Sequence, residues 1–387
     1  MSTVGIHDLE LATTHHVLDM ADLAEARGVD PNKYVVGIGQ SRMSVPAPDE
    51  DVVTMAATAA AGIVERHGTD GLRALLVATE SGVDQSKSVA AFVHGMLGLP
   101  TTVRSVELKQ ACYGGTAALQ MALGIVAREP GAKVLVISTD VARYALETPG
   151  EPTQGAAAVA LLVTADPAML AIEPIAGVAT IDVDDFWRPN DSSTAVVDGA
   201  LSMGAYLSSL TAAWDDFAAR GGVPIEQIDR FLHHQPFTKM ARKAHMSLAR
   251  HVGVKLPAEA MESGLVYNRE LGNSYTASLY VALASMLDAE DDLAGKRLGL
   301  FSYGSGSVGE FFTGIVQDSY RSVRRPEADR AAIENREPVT VAQYVDLHRT
   351  VLTSGEDVDT PRVTRAPFRF AGIRGRARRY ERTGSAA

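Results

Sequence analysis

The single cysteine of this chain, Cys112, stands in VELKQACYGGTAALQMALG, between a short alternating segment and an Ala-rich stretch of helical period. That spacing places it at a helix N-terminus, where unpaired amides and the positive end of the dipole lower a thiol pKa and can hold an oxyanion. Gly114 and Gly115 keep side-chain bulk away from the place where a substrate carbonyl would meet the backbone. An inert core cysteine would fall more naturally on the apolar stripe inside the helix. A thiol nucleophile needs proton-transfer partners, and two strand ends offer them. Glu80 terminates the apolar run LLVAT, where a desolvated carboxyl has a raised pKa suited to general acid/base work; a turn or capping acid is the alternative. His233 and His234 follow RFL, and because neighbouring strand residues point to opposite faces, at most one of them shares a site with Cys112. Asn273 in ELGNSYTASLY opens a further helix, as an N-cap or as an amide that polarises a carbonyl. Cysteine, carboxyl, imidazole and amide together form a set for acyl transfer through a thioester.

Other motifs are less specific. SYGSGSVG (Ser302 to Gly309) contains a GxGxxG at Gly304, Gly306 and Gly309, but EFFTGIV after it reads as a strand. A dinucleotide fold would continue into a helix, so the loop is expected to lend amides to an oxyanion hole. Lys239, Arg242 and Lys243 place three positive charges on the first turns of one helix beside His234, as a solvated face or as an anion clamp. The ten histidines show no HExxH, no second cysteine completes a CxxC, and no GxxxxGK[ST] occurs, so no metal or nucleotide-hydrolase site is expected.

The elements that must position these groups alternate in an α/β pattern. Strands are expected at 74–79, 133–139, 156–164, 230–234 and 297–303, and helices over 50–68, 116–131, 239–252 and 276–292, each followed by a capping glycine. AKVLVISTDVARY near residue 132 echoes GKRLGLFSYGSGS near residue 295, and each follows an Ala-rich helix preceded by a loop with a special residue, Cys112 or Asn273. A duplicated domain follows, with halves 1–168 and 169–387 and a more charged C-terminal extension from about 324. In that extension APFRFAGI reads as an edge strand, and RGRARRYER is a solvated terminus or a contact to a ligand phosphate. The 387 residues carry 36 Lys plus Arg against 47 Asp plus Glu, a formal charge of −11, which disfavours nucleic acid and anionic membrane surfaces. Without a signal-like N-terminus or a long apolar run, a cytoplasmic protein is expected, and one cysteine rules out internal disulfides.

ATES, KQACYGGTAAL, GEPTQGAAAVA, DFWRP, HHQPFTKM, GNSYTASLY and FSYGSGSVGEFF occur in order, and together they resemble hydroxymethylglutaryl-CoA synthase in its shorter prokaryotic form over roughly residues 4–320. The resemblance implies the thiolase-like fold, two pseudo-symmetric βαβαβαββ halves in five α-β-α-β-α layers, and a homodimer. It implies that acetyl-CoA acylates Cys112, that Glu80 removes a methyl proton, and that the enolate attacks acetoacetyl-CoA held by His234, with Asn273 assisting. Water then releases 3-hydroxy-3-methylglutaryl-CoA, and no cofactor is needed. By matching motif, Thr153, Ser202, Lys243 and Ser305 would contact the acyl-CoA, the Asp30 to Lys33 segment (Asp30 and Asn32 above all) and Lys239 its nucleotide, and Asp140, Tyr144, Asp185 and Tyr303 would shape the site. A related synthase that adds a β-branch to a polyketide on a carrier protein would use the same Cys, Glu and His; Lys239, Lys243 and the DPNK segment favour free CoA. A ketoacyl synthase would lack the acid/base glutamate, and a non-catalytic relative would be expected to lose Cys112 or Glu80.

Overall fold

The computed structural model describes residues 3–350 and 355–383. Its apolar runs form one nine-stranded sheet from β1 (Val4–Thr13), β2 (Leu72–Ala78), β3 (Arg104–Leu108), β4 (Lys133–Ala142), β5 (Gly155–Ala165), β6 (Leu170–Thr180), β7 (Arg230–His233), β8 (Arg297–Gly304) and β9 (Val308–Val316), in the order β7-β8-β9-β6-β1-β5-β4-β2-β3. Pairing repeats across the middle. β1 to β5 and β5 to β4 are antiparallel and β4 to β2 parallel; β6 to β9 and β9 to β8 are antiparallel and β8 to β7 parallel. The strand 133–142 thus corresponds to 297–304, the pair whose sequences echo each other. Among the described residues the two sets are joined edge to edge by two residue pairs, Gly5 with Ala171 and Ile6 with Leu170.

Helices cover the sheet in layers. α3 (Gly114–Arg128) and α6 (Ser278–Ala289) lie in one apolar cluster with residues of strands from both sets, and ten of the twelve residues of α6 are buried, as expected for a helix enclosed on all sides. A second cluster joins α1 (Val52–His67) and α2 (Val89–Leu97) to the outer face of β2, β4 and β5; a third joins α4 (Gly199–Ala219) and α5 (Thr238–Val252) to residues of β7, β8 and β9. The order is α-β-α-β-α, and the strands are buried on both faces because helices lie over both.

Helix ends follow local chemistry. Asp51 caps α1 through Val53 N and Thr54 N, and Thr54 completes a capping box. Gly68 and Gly253 follow α1 and α5 with φ of 62° and 74°, as expected of capping glycines, whereas α3 and α6 end at Arg128 and Ala289, short of Gly131 and Gly295. The basic C-terminal segment forms a hairpin, Phe368–Arg374 with Ala377–Arg382, and APFRFAGI supplies its first strand. Three of its arginines are in ion pairs, Arg369 with Asp49 and Glu381, Arg374 with Asp359 and Arg378 with Asp51, while Arg376, Arg379 and Arg382 are exposed. The hairpin is therefore docked on the acidic start of α1 through Arg369 and Arg378, and its remaining exposed arginines keep the solvated face expected of the segment. Among the described residues no helix is long and apolar enough to cross a membrane.

Candidate active site

Cys112 lies in the turn that feeds α3. Ala111 before it takes a left-handed φ of 42°, a conformation that costs a non-glycine residue energy. The thiol reaches Glu80 at the end of β2, with Sγ donating to Oε1 at 3.2 Å. Part of each side chain keeps access to solvent, yet dense surroundings desolvate both. Burial pushes the Glu80 carboxyl up to about 8, and the neighbouring Asp140 adds to the rise. Burial and the Glu80 charge also push the Cys112 thiol well above its ordinary value, so the lowered pKa expected from the helix N-terminus is overturned. Desolvation and a facing carboxylate outweigh the helix end.

Asp140, at the inner end of β4, holds this pair in register. One carboxylate oxygen accepts from Thr79 Oγ1 at 2.8 Å, Glu80 N at 2.9 Å and Ser81 N at 3.0 Å; the other accepts from Thr276 N at 3.1 Å and from Thr276 Oγ1. It therefore ties the strand end bearing Glu80 to the entry of α6 in the other half. Tyr144, Tyr275, Phe186 and Ala142 pack around Cys112. Asn273 does not cap α6. Its Oδ1 accepts from Tyr275 N at 2.9 Å, its own N–H donates to Thr153 O at 3.1 Å, and α6 begins only at Ser278. Tyr275 has φ of 44° three residues before α6, as Ala111 has 42° three residues before α3. The positional counterpart of Cys112 is therefore Thr276, not Asn273.

His234 follows β7, and Tyr206 of α4 donates to its carbonyl at 2.7 Å while stacking on its ring. The imidazole is buried, which pushes its pKa down to about 3, and Nε2 has no partner among the described residues. His233 turns away to Phe231 and His245, as strand alternation requires. Tyr303 packs on Tyr206 and donates to Asp185 at 2.9 Å. The loop after it approaches the nucleophile turn so closely that a Cβ on Gly304 would lie 2.5 Å from Gln110 O and 2.6 Å from Tyr113 N. Amides of this loop were expected to hold an oxyanion, but those of Gly306 and Ser307 are committed to Asp185 and Ile181. Nor does Gly115 clear space for substrate: a Cβ there would meet Ser138, Thr276 and Tyr280, so this glycine serves helix packing.

Two further regions lie beside this centre. A cavity of about 830 Å3 opens on Glu80 and Ala111 and is walled by Arg143, Phe186, Arg188 and His348; of the residues expected to touch acyl-CoA, Ser305 alone lines it. Thr153 and Asn273 are joined by the backbone bond already described, and Thr153 Oγ1 donates to Gly150 O at 2.8 Å. The remaining expected contacts gather elsewhere, on an exposed face where Lys239 Nζ lies 3.4 Å from Val36 O and Lys243 Nζ 3.2 Å from the sulfur of Met203, next to Ser202. Asp30 accepts from Asn32 N at 2.9 Å in the same stretch as Val36. Arg242 pairs with Glu262, while neither lysine is in an ion pair among the described residues. Sequence reasoning missed Arg188, which donates to the Glu80 carbonyl, although DFWRP contains it; it also missed Tyr206, Tyr275 and Thr276.

The profile of the hydroxymethylglutaryl-coenzyme A synthase N terminal region matches residues 1–168 and that of the C terminal region residues 251–349. A hydroxymethylglutaryl-CoA synthase of Enterococcus faecalis is 39% identical over 385 residues, covering 98% of this chain and 99% of that protein. The chain belongs to the hydroxymethylglutaryl-CoA synthase family. It is accordingly a condensing, acyl-transferring enzyme of thiolase-like fold. A solved structure of MvaS in complex with 3-hydroxy-3-methylglutaryl coenzyme A superposes with a TM-score of 0.92 at 39% identity, covering 99% of both chains. A polyketide biosynthesis 3-hydroxy-3-methylglutaryl-ACP synthase, PksG of Bacillus subtilis, is 32% identical over 370 residues, 89% of this chain and 87% of that protein. Of these two relatives, the one named for CoA is the more similar and the one named for ACP the less.

Proposed function

We propose that this chain condenses acetyl-CoA with acetoacetyl-CoA through an acetyl-Cys112 intermediate. Cys112 Sγ attacks the acetyl carbonyl, the bond to the CoA sulfur breaks, and CoA departs with the proton that the thiol gives up. Glu80 as carboxylate then takes a methyl proton from the acetyl-cysteine. The enolate carbon bonds to the ketone carbon of acetoacetyl-CoA, and the new alkoxide takes a proton back from Glu80. Water cleaves the thioester, giving 3-hydroxy-3-methylglutaryl-CoA and the free thiol. No step changes the total oxidation state, so the proposal includes no redox cofactor and asks for no metal.

The observation that carries this reading is the 3.2 Å contact between the Cys112 thiol and a carboxyl whose pKa is about 8. Such a group holds and releases a proton near neutrality with equal ease, as a shuttle used in both directions must. The uncharged His234, with Nε2 unpartnered, suits a hydrogen bond to the acceptor carbonyl rather than an ion pair with a thiolate. Asn273 and Thr153 on one side, and Lys239, Lys243, Ser202, Asp30 and Asn32 on the exposed face, are proposed to hold the acyl and nucleotide ends of CoA. Asp140, Tyr144, Asp185 and Tyr303 shape the site through the contacts above. A cytoplasmic homodimer in isoprenoid precursor supply completes the proposal. Product analysis tests it: the wild-type chain given both CoA thioesters should yield 3-hydroxy-3-methylglutaryl-CoA, and turnover only with a carrier-bound acceptor would overturn the choice of free CoA.

A further inference from the structure

His15, His16 and Glu337 come together away from the catalytic groups, and none of the three lines the cavity beside Glu80. Adjacent residues of a straight strand point to opposite faces. Here a bend at His15 just before the strand His16–Asp19 brings both imidazoles to one place, with ring centroids 4.7 Å apart. Glu337 arrives from the short strand Glu337–Pro338, which runs parallel to His16–Val17. Its Oε1 is taken by Arg365, leaving Oε2 turned to His15 Nε2 at 3.2 Å. Two ligands at 2.0–2.2 Å from a tetrahedral ion are about 3.3 Å apart, so this pair already has the spacing of a coordination edge. All three ligand atoms lie within 4.8 Å of one another, and His16 Nδ1 is buried without a hydrogen-bond partner among the described residues.

We propose that His15, His16 and Glu337 bind a first-row divalent cation, with Zn2+ favoured by the two imidazoles and one carboxylate, leaving a fourth position for water. The ion would fasten the chain after residue 337 to the strand His16–Asp19. That chain continues into the helix Val341–Arg349, whose Tyr344 OH accepts from Gln154 Nε2 at 2.6 Å and whose His348 contacts Tyr144 O at 2.9 Å. The site is thus a clip on one wall of the catalytic cavity, and takes no part in the chemistry.

Metal-stripped full-length protein titrated with Zn2+ by calorimetry, and with Co2+ by visible absorption, tests the proposal. One ion per chain is expected, with the intense ligand-field bands of tetrahedral cobalt, and with slower amide exchange over residues 337–349 when zinc is bound. His16→Ala and Glu337→Gln should each weaken binding at least about tenfold. Arg365→Ala, which releases the second carboxylate oxygen, should bind at least as tightly as wild type. Absence of one-to-one uptake, or an affinity unchanged by either of the first two substitutions, overturns the site and leaves a hydrogen-bonded His–Glu pair.

Discussion

At the scale of single residues, the acid/base role rests on Glu80, and its titration has two consequences of opposite use. Catalysis needs the carboxylate to take a methyl proton, so kcat/KM for condensation should rise with pH through about 8 and level off above it. A limb in the ordinary carboxylate range would contradict this assignment. Stability should move the other way. Between the ordinary value of 4.5 and about 8 the folded chain keeps a proton that the unfolded chain has released, so the contribution of Glu80 to stability falls as pH rises through that window. Glu80→Gln should therefore raise the melting temperature above pH 8 while abolishing condensation, which a thermal scan beside a product assay would reveal. The three chemical residues were legible because each stands at an element junction, Glu80 and His234 where an apolar strand stops and Cys112 where a helix is about to begin. Thr276 and Arg188 were not, since a threonine and an arginine carry no reactivity of their own; only the fold brings them to Asp140 and to the Glu80 carbonyl.

At the scale of elements, strands with unbroken apolar runs could be read within a few residues, and those with polar interruptions could not. β1 hides Asp8, which is buried and paired with Arg66, His67 and Arg325, and a bulge at Ile6 to Asp8 breaks the two-residue alternation. β6 contains Pro174 and faces a second irregularity at Phe312 to Gly314. The start of α1 is more demanding than its sequence suggests, because Asp51 caps the helix with one oxygen and holds Arg378 and Tyr380 of the C-terminal hairpin with the other. Asp51→Ala should lower stability by about 1 kcal/mol for the cap, and further for an Arg378 left without its anion. Asp51→Asn keeps the cap, so its melting temperature should fall between those of wild type and Asp51→Ala. Gly304→Ala tests the contact between loop and nucleophile turn. Its Cβ would press on backbone atoms that cannot swing aside, and acetylation should slow at least about tenfold while far-ultraviolet circular dichroism is unchanged.

At the scale of the whole molecule, the internal echo was the informative signal, since strands 133–142 and 297–304 occupy matching places in mirrored pairings. The edge-to-edge joining of the two sets through two residue pairs was not readable, because β1 and β6 reveal their partners only once folded. Charge acts at this scale as well. A chain of net charge −11 repels polyphosphates in general, and Lys239 and Lys243 form a local exception without an acid partner among the described residues. Replacing both by Glu should raise KM for the CoA thioesters with little change in kcat, and the effect should shrink as salt is added. The division of labour between Cys112 and Glu80 remains the centre of the account. The Glu80 charge raises the thiol pKa, so removing it eases ionisation and spares the first half-reaction. Intact-protein mass spectrometry after mixing with acetyl-CoA is the most direct measurement: one acetyl group is predicted on the wild type and on Glu80→Ala and none on Cys112→Ser, whereas an unmodified wild type, or acetylation that survives in Cys112→Ser, would contradict the account.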